Sequence, residues 1–301
     1  MTSPPRSLDR YALVLMALLC GCWGFNQVAA KLAFADFGPL TQCALRSGIG
    51  SLVLGVYAWR AKPEIWRSDG TWLAGLVVGL LFAFEFILVF VAVKLTTAAS
   101  AVVFLFTAPF FVALGAVLFL PQERPRPRQW AGMALAFIGV AMGLYRPAEG
   151  SSLIGDLLAL LAGAAWGATT IVVKTTKLRT ADATKTLLYQ IVVSAVVTPF
   201  IAYGAGESWP TRISWISVAS IAYQSVWVVG VTYLAWFWLL RVYRAAELSA
   251  FTFLSPVVGV LAGWLVLGER LTPAFIASLA LVALGIVLVN WPARALARLA
   301  A

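Results

Sequence analysis

A Trp-Gly pair with a Lys seven residues after the glycine occurs twice in this chain, as Trp23-Gly24 with Lys31 and as Trp166-Gly167 with Lys174. The copies stand 143 residues apart, each inside a long apolar run. A chain that repeats one helical pattern at that distance reads as one bundle built twice. Other matches extend the repeat. Pro109 pairs with Pro256 and Ala98-Ala99 with Ala245-Ala246 at an offset of 147, Glu123-Arg124 pairs with Glu269-Arg270 at 146, and Arg46 falls near Gln190 at 144. The drifting offset is what unequal loops leave behind in an old duplication.

The medium follows from composition. Of 301 residues 62% are hydrophobic and 11% charged, too few charges to cover a water-facing surface, where about a quarter is usual. The chain reads as an integral membrane protein. Its net charge of +10 lies in short loops between apolar runs, where basic residues set topology and meet anionic lipid headgroups. No basic stretch carries the interleaved aromatics of an RNA-binding module, so nucleic acid is not an expected partner. There is no histidine, which removes the commonest metal ligand and general base. The three cysteines, Cys20, Cys22 and Cys43, fall in expected spans; the first two point to nearly opposite sides of a helix and read as small packing residues. The first apolar run, about 20 residues, is too long for a cleaved signal and reads as a retained helix.

A spanning helix needs about 20 mostly apolar residues. The first half yields spans over Tyr11–Phe34, Pro39–Trp59, Trp72–Val93, Ala98–Leu120 and Gln129–Tyr145. The second yields Leu153–Lys174, Thr184–Gly204, Ile213–Leu240, Ala246–Leu267 and Pro273–Asn290, the eighth being long enough to tilt, bend or protrude. The expected fold is all-α, with ten transmembrane helices in two five-helix repeats over residues 11–145 and 153–290. Fifteen Lys and Arg fall on the side holding both termini and four on the other, which places the termini in the cytoplasm. Five spans per half make the second repeat inverted with respect to the first.

The strongest local signature is Leu254-Ser255-Pro256-Val257-Val258-Gly259 leading to Leu267-Gly268-Glu269-Arg270-Leu271-Thr272-Pro273. Its first-half copy is Thr107-Ala108-Pro109-Phe110 followed by Pro121-Gln122-Glu123-Arg124. With the two Trp-Gly pairs, these segments resemble the drug/metabolite transporter superfamily and, within it, the EamA-type ten-helix carriers. Pro121 stands where that family commonly has glycine, which implies a turn of different shape. The whole chain is similar to bacterial aromatic amino-acid exporters of this superfamily. That resemblance implies a bacterial inner-membrane protein with a central cavity between the halves and peripheral fifth and tenth helices. It also implies export of aromatic and other neutral amino acids.

Several residues inside the spans are candidates for function. Glu85 is the one acid near the middle of a span, and Arg46 also lies within one. They sit about seven and eight residues, roughly 10 and 12 Å, from the same membrane face. Such depths predict a direct or water-bridged pair, which either meets a zwitterionic head or locks helices two and three. Trp23, Trp166 and Trp227 lie near span centres, where tryptophan walls a cavity or fills space between helices. Asn26, Gln27, Gln190, Tyr223 and Gln224 are polar groups in hydrocarbon, serving a substrate or bonding helix to helix. Lys31 and Lys174 read as symmetric gate residues or as headgroup-seeking side chains, and Pro109 and Pro256 as hinges or fixed kinks in mid-helix.

These features predict an alternating-access exporter of small amphiphilic metabolites, for which a monomer suffices. It needs no cofactor, and with no Walker A stretch any driving force is a gradient. A passive channel or a lipid-associated scaffold is the alternative. A membrane enzyme is the least supported, since the five Asp lie in loops or at span ends and no HExxH motif is possible.

Overall fold

The computed structural model describes residues 9–120, 127–145, 149–243, 252 and 254–290, and every regular element in them is helical. In the first half, α1 (Arg10–Ala33) starts where the Asp9 carboxylate accepts the Ala12 N–H. Helix α2 (Pro39–Ala61) has proline in its first turn, where no N–H is needed. Helix α3 spans Trp72–Leu95. The fourth span is two pieces, α4 (Ala98–Leu105) and α5 (Ala108–Phe119). Thr97 caps the start of α4 through the Ser100 N–H, and the Thr107 hydroxyl closes its end by donating to Phe104 O at 2.6 Å. Helix α6 covers Pro127–Tyr145.

The second half repeats this order as α7 (Leu153–Thr175), α8 (Ala183–Gly204), a composite eighth span, α11 (Leu254–Leu267) and α12 (Pro273–Asn290). The eighth span begins as α9 (Trp215–Ala222), widens into a π-helix over Tyr223–Thr232, and ends as α10 (Tyr233–Val242). Its expected extra length is thus absorbed by a π-helical stretch, of the kind that often accompanies functional positions. The result is an all-helical membrane protein of ten helices. Six are long and apolar enough to cross a bilayer by length and composition: α1, α3, the α4–α5 unit, α7, α8 and the eighth span over Trp215–Trp236. The expected repeat positions Pro121-Gln122, Glu123-Arg124 and Ala245-Ala246, and the start of the ninth span at Ala246, lie outside the described residues.

Neither repeated proline stands in the middle of a continuous helix. Pro109 is in the first turn of α5 and Pro256 is the third residue of α11, positions where a missing N–H breaks no helical hydrogen bond. The break in the fourth span is made upstream by the Phe106–Thr107 turn.

The packing is symmetric under exchange of the halves. Helix α1 packs on α11 as α7 packs on α4 and α5; α3 packs on α7 as the eighth span packs on α1; and α2 packs on α8, α6 on α12, and α4 on α11. The like pairs run antiparallel. Ser47 Oγ lies 2.9 Å from Ser194 Oγ, while further along α2 Lys62 meets Asp182, just before α8 begins. In the same way Ser278 donates to Gly139 O at 2.7 Å, and Gly285 faces Gly132.

The repeated Trp-Gly motif has a packing role in its glycines. A Cβ on Gly24 would collide with the backbone of Ser255 and Gly259 in α11. One on Gly167 would come within 2.6 Å of Phe111 Cβ in α5. Each glycine lets its helix approach the segment that carries a repeated proline in the other half, a close approach typical of membrane helices.

Candidate functional site

Polar groups in an apolar interior must find partners, and the structure gathers most of them on the seam between α2, α1 and the eighth span. Arg46 on α2 is 1% exposed. Its guanidinium carbon lies 4.0 Å from the centre of the Phe86 ring, and Nη2 points to the Tyr233 hydroxyl at 3.5 Å. Among the described residues its Nε and Nη1 have no hydrogen-bond partner. One turn earlier on the same face, Gln42 donates to Ala30 O at 3.1 Å and accepts from Gln224 Nε2 at 3.4 Å. Trp23 donates to the Thr232 hydroxyl at 2.9 Å and meets the rings of Tyr233 and Trp236 edge-on. A turn along α1, Asn26 donates to Gln27 Oε1 at 3.2 Å, and both are buried. Asn26 Oδ1 and Gln224 Oε1 join the two Arg46 nitrogens as buried polar atoms without a partner.

Glu85 on α3 is 6% exposed and sits within electrostatic reach of Arg46, but the two form no direct ion pair. The direct form of the expected pairing is therefore corrected. The guanidinium instead sits over Phe86, the residue next to Glu85, where the ring face offers a cation a partial partner.

Other expected residues lie elsewhere. Tyr223 donates to Cys22 O at 2.8 Å and Trp227 approaches Cys22 Sγ at 3.3 Å, tying the π-helix to α1. Trp227 is 48% exposed, and Trp166 is also exposed, meeting Phe106 edge-on. Gln190 is half-buried and makes no hydrogen bond to the groups around Arg46. Lys31 pairs with Glu269 at 3.7 Å. Lys174 lines a cavity of about 510 Å³ at the span ends with Lys177 and Arg179, well away from the seam.

Gln42, Phe86 and Tyr233 belong to the site but are not among the residues that the sequence singled out. Gln42 carries a signal, since it lies four residues before Arg46 in an apolar helix and so shares its face. Phe86 and Tyr233 carry none, because aromatics in a span are ordinary.

Both faces of the bundle are latched. On one, Glu207 accepts the N–H groups of Leu40 and Thr41 at 3.0 and 2.8 Å and the Thr41 hydroxyl at 2.7 Å. Glu269 accepts those of Ala98 and Ala99 at 2.6 and 2.9 Å. Asp36 accepts both groups of Ser214, at 2.8 Å from N and 2.5 Å from Oγ. The hydroxyls of Ser214 and Ser217, with the Ser214 N–H, hold Asp36 below its ordinary value. On the other face Lys62 bonds both Asp182 oxygens and Thr184, and Lys185 meets Asp69 at 2.8 Å. Hydrogen bonds from Lys185 and then Thr71 hold Asp69 well below its ordinary value. Burial opposes the same effect at Asp182, where Lys62 and Thr184 outweigh it. A cavity of about 340 Å³ opens beside Asp69 and Lys185. The polar seam is sealed between these two layers, with Gln42 and Gln224 fully buried.

The arrangement offers two buried N–H donors on a cation and two buried carbonyl acceptors, next to aromatic rings, with no nucleophile–base pair beside them. It is suited to holding a small molecule with a negative and a positive end.

The pattern of the EamA-like transporter family matches twice, over residues 10–145 and 153–291. The chain is 29% identical to the uncharacterized transporter YvbV of Bacillus subtilis over 94% of this chain and 92% of that one. It is 28% identical to a probable amino-acid metabolite efflux pump of Salmonella typhimurium over 90% of this chain and 92% of that one. A solved crystal structure, 19% identical, superposes with a TM-score of 0.65 over 96% of this chain and 99% of its own, a likeness of fold. Two family matches that together cover nearly the whole chain, on a fold of two matching five-helix halves, mean that it belongs to the EamA-like transporter family of the drug/metabolite transporter superfamily, as a multi-pass membrane transporter and not an enzyme.

Proposed function

We propose that the protein exports aromatic and other neutral amino acids, or close relatives of them, across a bacterial inner membrane by alternating access. In this reading the two halves are inverted repeats, both termini are cytoplasmic, and a monomer does the work. The observation that carries it is Arg46, a fully buried cation in mid-span with two unpartnered nitrogens. A lone charge at that depth costs about 2.5–3.5 kcal/mol, and a substrate carboxylate offsets that cost. Asn26 and Gln224 supply acceptors for an ammonium group, and Trp23, Phe86 and Tyr233 supply an aromatic wall.

The antiparallel pairing of α2 with α8 and of α6 with α12 supports inversion. The latches on both faces support a carrier over an open channel, because a pore with a continuous polar lining would not be closed twice. The relatives described as probable amino-acid metabolite efflux pumps point to the same substrate class.

The test is counterflow. Purified protein is placed in liposomes preloaded with unlabelled amino acids, and labelled tryptophan, phenylalanine, threonine and methionine are offered outside. Saturable exchange of at least one is expected. No exchange of any removes the substrate assignment, and unsaturable flux favours a channel.

A further inference from the structure

Glu85 stands in the middle of α3 with 6% of its surface exposed. Among the described residues its carboxylate has neither a hydrogen-bond nor an ion-pair partner. Apart from Arg46, the charged residues of the helices packed on α3 lie at helix ends: Arg10 and Lys31 of α1, Arg60 of α2, Asp156 and Lys174 of α7, and Lys185 of α8. The titratable groups that face Glu85 are Arg46 of α2 and Tyr233 of α10. Arg46 is turned to Phe86 and Tyr233, and keeps its Nε and Nη1 unpartnered. Two groups that could neutralise one another therefore make no direct ion pair, and each keeps capacity for an opposite charge. An ionised carboxylate left alone at this depth would be as costly as a lone arginine.

We infer that Glu85 is the proton-binding carboxyl of an amino-acid/proton antiporter. This rests on the amino-acid reading of the site. In the empty, closed carrier Glu85 holds a proton. When a substrate enters, its carboxylate takes the free N–H groups of Arg46 and its ammonium takes the place beside Glu85. The Glu85 O–H bond breaks, the proton passes to water on the side to which the site is open, and an N–H···O⁻ pair forms in its stead. The loaded pair of side chains is neutral and the empty one carries one positive charge. Each cycle thus moves one neutral zwitterion one way and one proton, with its charge, the other.

The experiment uses the full chain in liposomes with the membrane potential clamped and a one-unit pH gradient, acid inside. The probe is whichever of tryptophan, phenylalanine, threonine and methionine shows counterflow at equal pH. Wild type is expected to accumulate it about tenfold, the ratio that one proton per substrate sets. Glu85→Gln is expected to show no accumulation above equilibration, and Glu85→Asp to keep it. Binding to purified wild-type protein should weaken about tenfold per unit once the pH falls below the carboxyl's titration, while binding to Glu85→Gln stays flat with pH. Wild-type counterflow with no response to the gradient overturns the coupling and leaves the amino-acid reading standing. Gradient-driven accumulation by Glu85→Gln overturns the role of this residue. Absence of counterflow with all four amino acids overturns the amino-acid reading, and the proton exchange falls with it.

Discussion

The same helix–helix seam occurs twice in this molecule, and the two copies have opposite characters. Gly75 and Gly79 of α3 face α8, and Gln42 and Arg46 of α2 face the eighth span. Between α3 and α8 the glycines admit their partners so closely that a Cβ on Gly79 would lie 2.6 Å from Val193 Cβ and 2.8 Å from Tyr189 O. Between the eighth span and α2 the close glycines are Gly50 against Val229 and Gly230 against Val53, the facing helix is π-wound, and positions 42 and 46 hold a glutamine and an arginine. One seam is apolar in mid-span and shut by close backbone approach, and the other is polar and incompletely satisfied.

The largest expected effect lies on the polar seam. Arg46→Ala should lower counterflow at least about 100-fold, the loss of a buried charge contact worth some 3 kcal/mol. Arg46→Lys should recover only part, because the ammonium has no fork to offer a carboxylate. Next comes the apolar seam of α3 and α8. Gly79→Leu overpacks a backbone contact and should destabilise the protein by about 1–3 kcal/mol, read as a lower melting temperature in detergent. Val226→Leu, on the exposed face of the eighth span, should change it far less. If Gly79→Leu melts no lower than Val226→Leu, the close packing of α3 on α8 is wrong.

A smaller effect is expected at the hydrogen bond that joins α2 to the π-helix. Gln42→Ala should weaken binding about threefold, matching the roughly 0.6 kcal/mol typical of interhelical hydrogen bonds in bilayers. Binding measured against phenylalanine concentration would show it. The smallest effect is at the membrane face. Asp69 and Asp182 have values lowered in the folded protein, so each contributes stability that is fully present above about pH 4, their unfolded value, and fades as pH falls through the folded ones. Melting temperatures should drop as pH is lowered below 4, and Asp182→Asn should make that drop shallower.

Much of this architecture was readable because the duplication, the apolar runs and the basic loops each constrain the chain independently. Glu85 and Arg46 announced themselves as rare charges in apolar helices. Their spatial relation did not, since equal depth leaves the rotation of each helix open, and the guanidinium chose the Phe86 ring. Pro109 and Pro256 looked like mid-helix breaks because the turn at Phe106–Thr107 carries no glycine to mark it. The two tryptophans of the repeated motif read alike, yet Trp23 joins the polar seam and Trp166 is exposed against Phe106, a divergence invisible in a shared dipeptide.

Equilibrium binding of labelled phenylalanine to the purified protein probes the polar seam most directly, with Arg46→Ala on α2 compared with Val193→Ala on α8. The account predicts saturable binding by wild type and by Val193→Ala, and loss of binding by a folded Arg46→Ala. Equal binding by Arg46→Ala and wild type would contradict it.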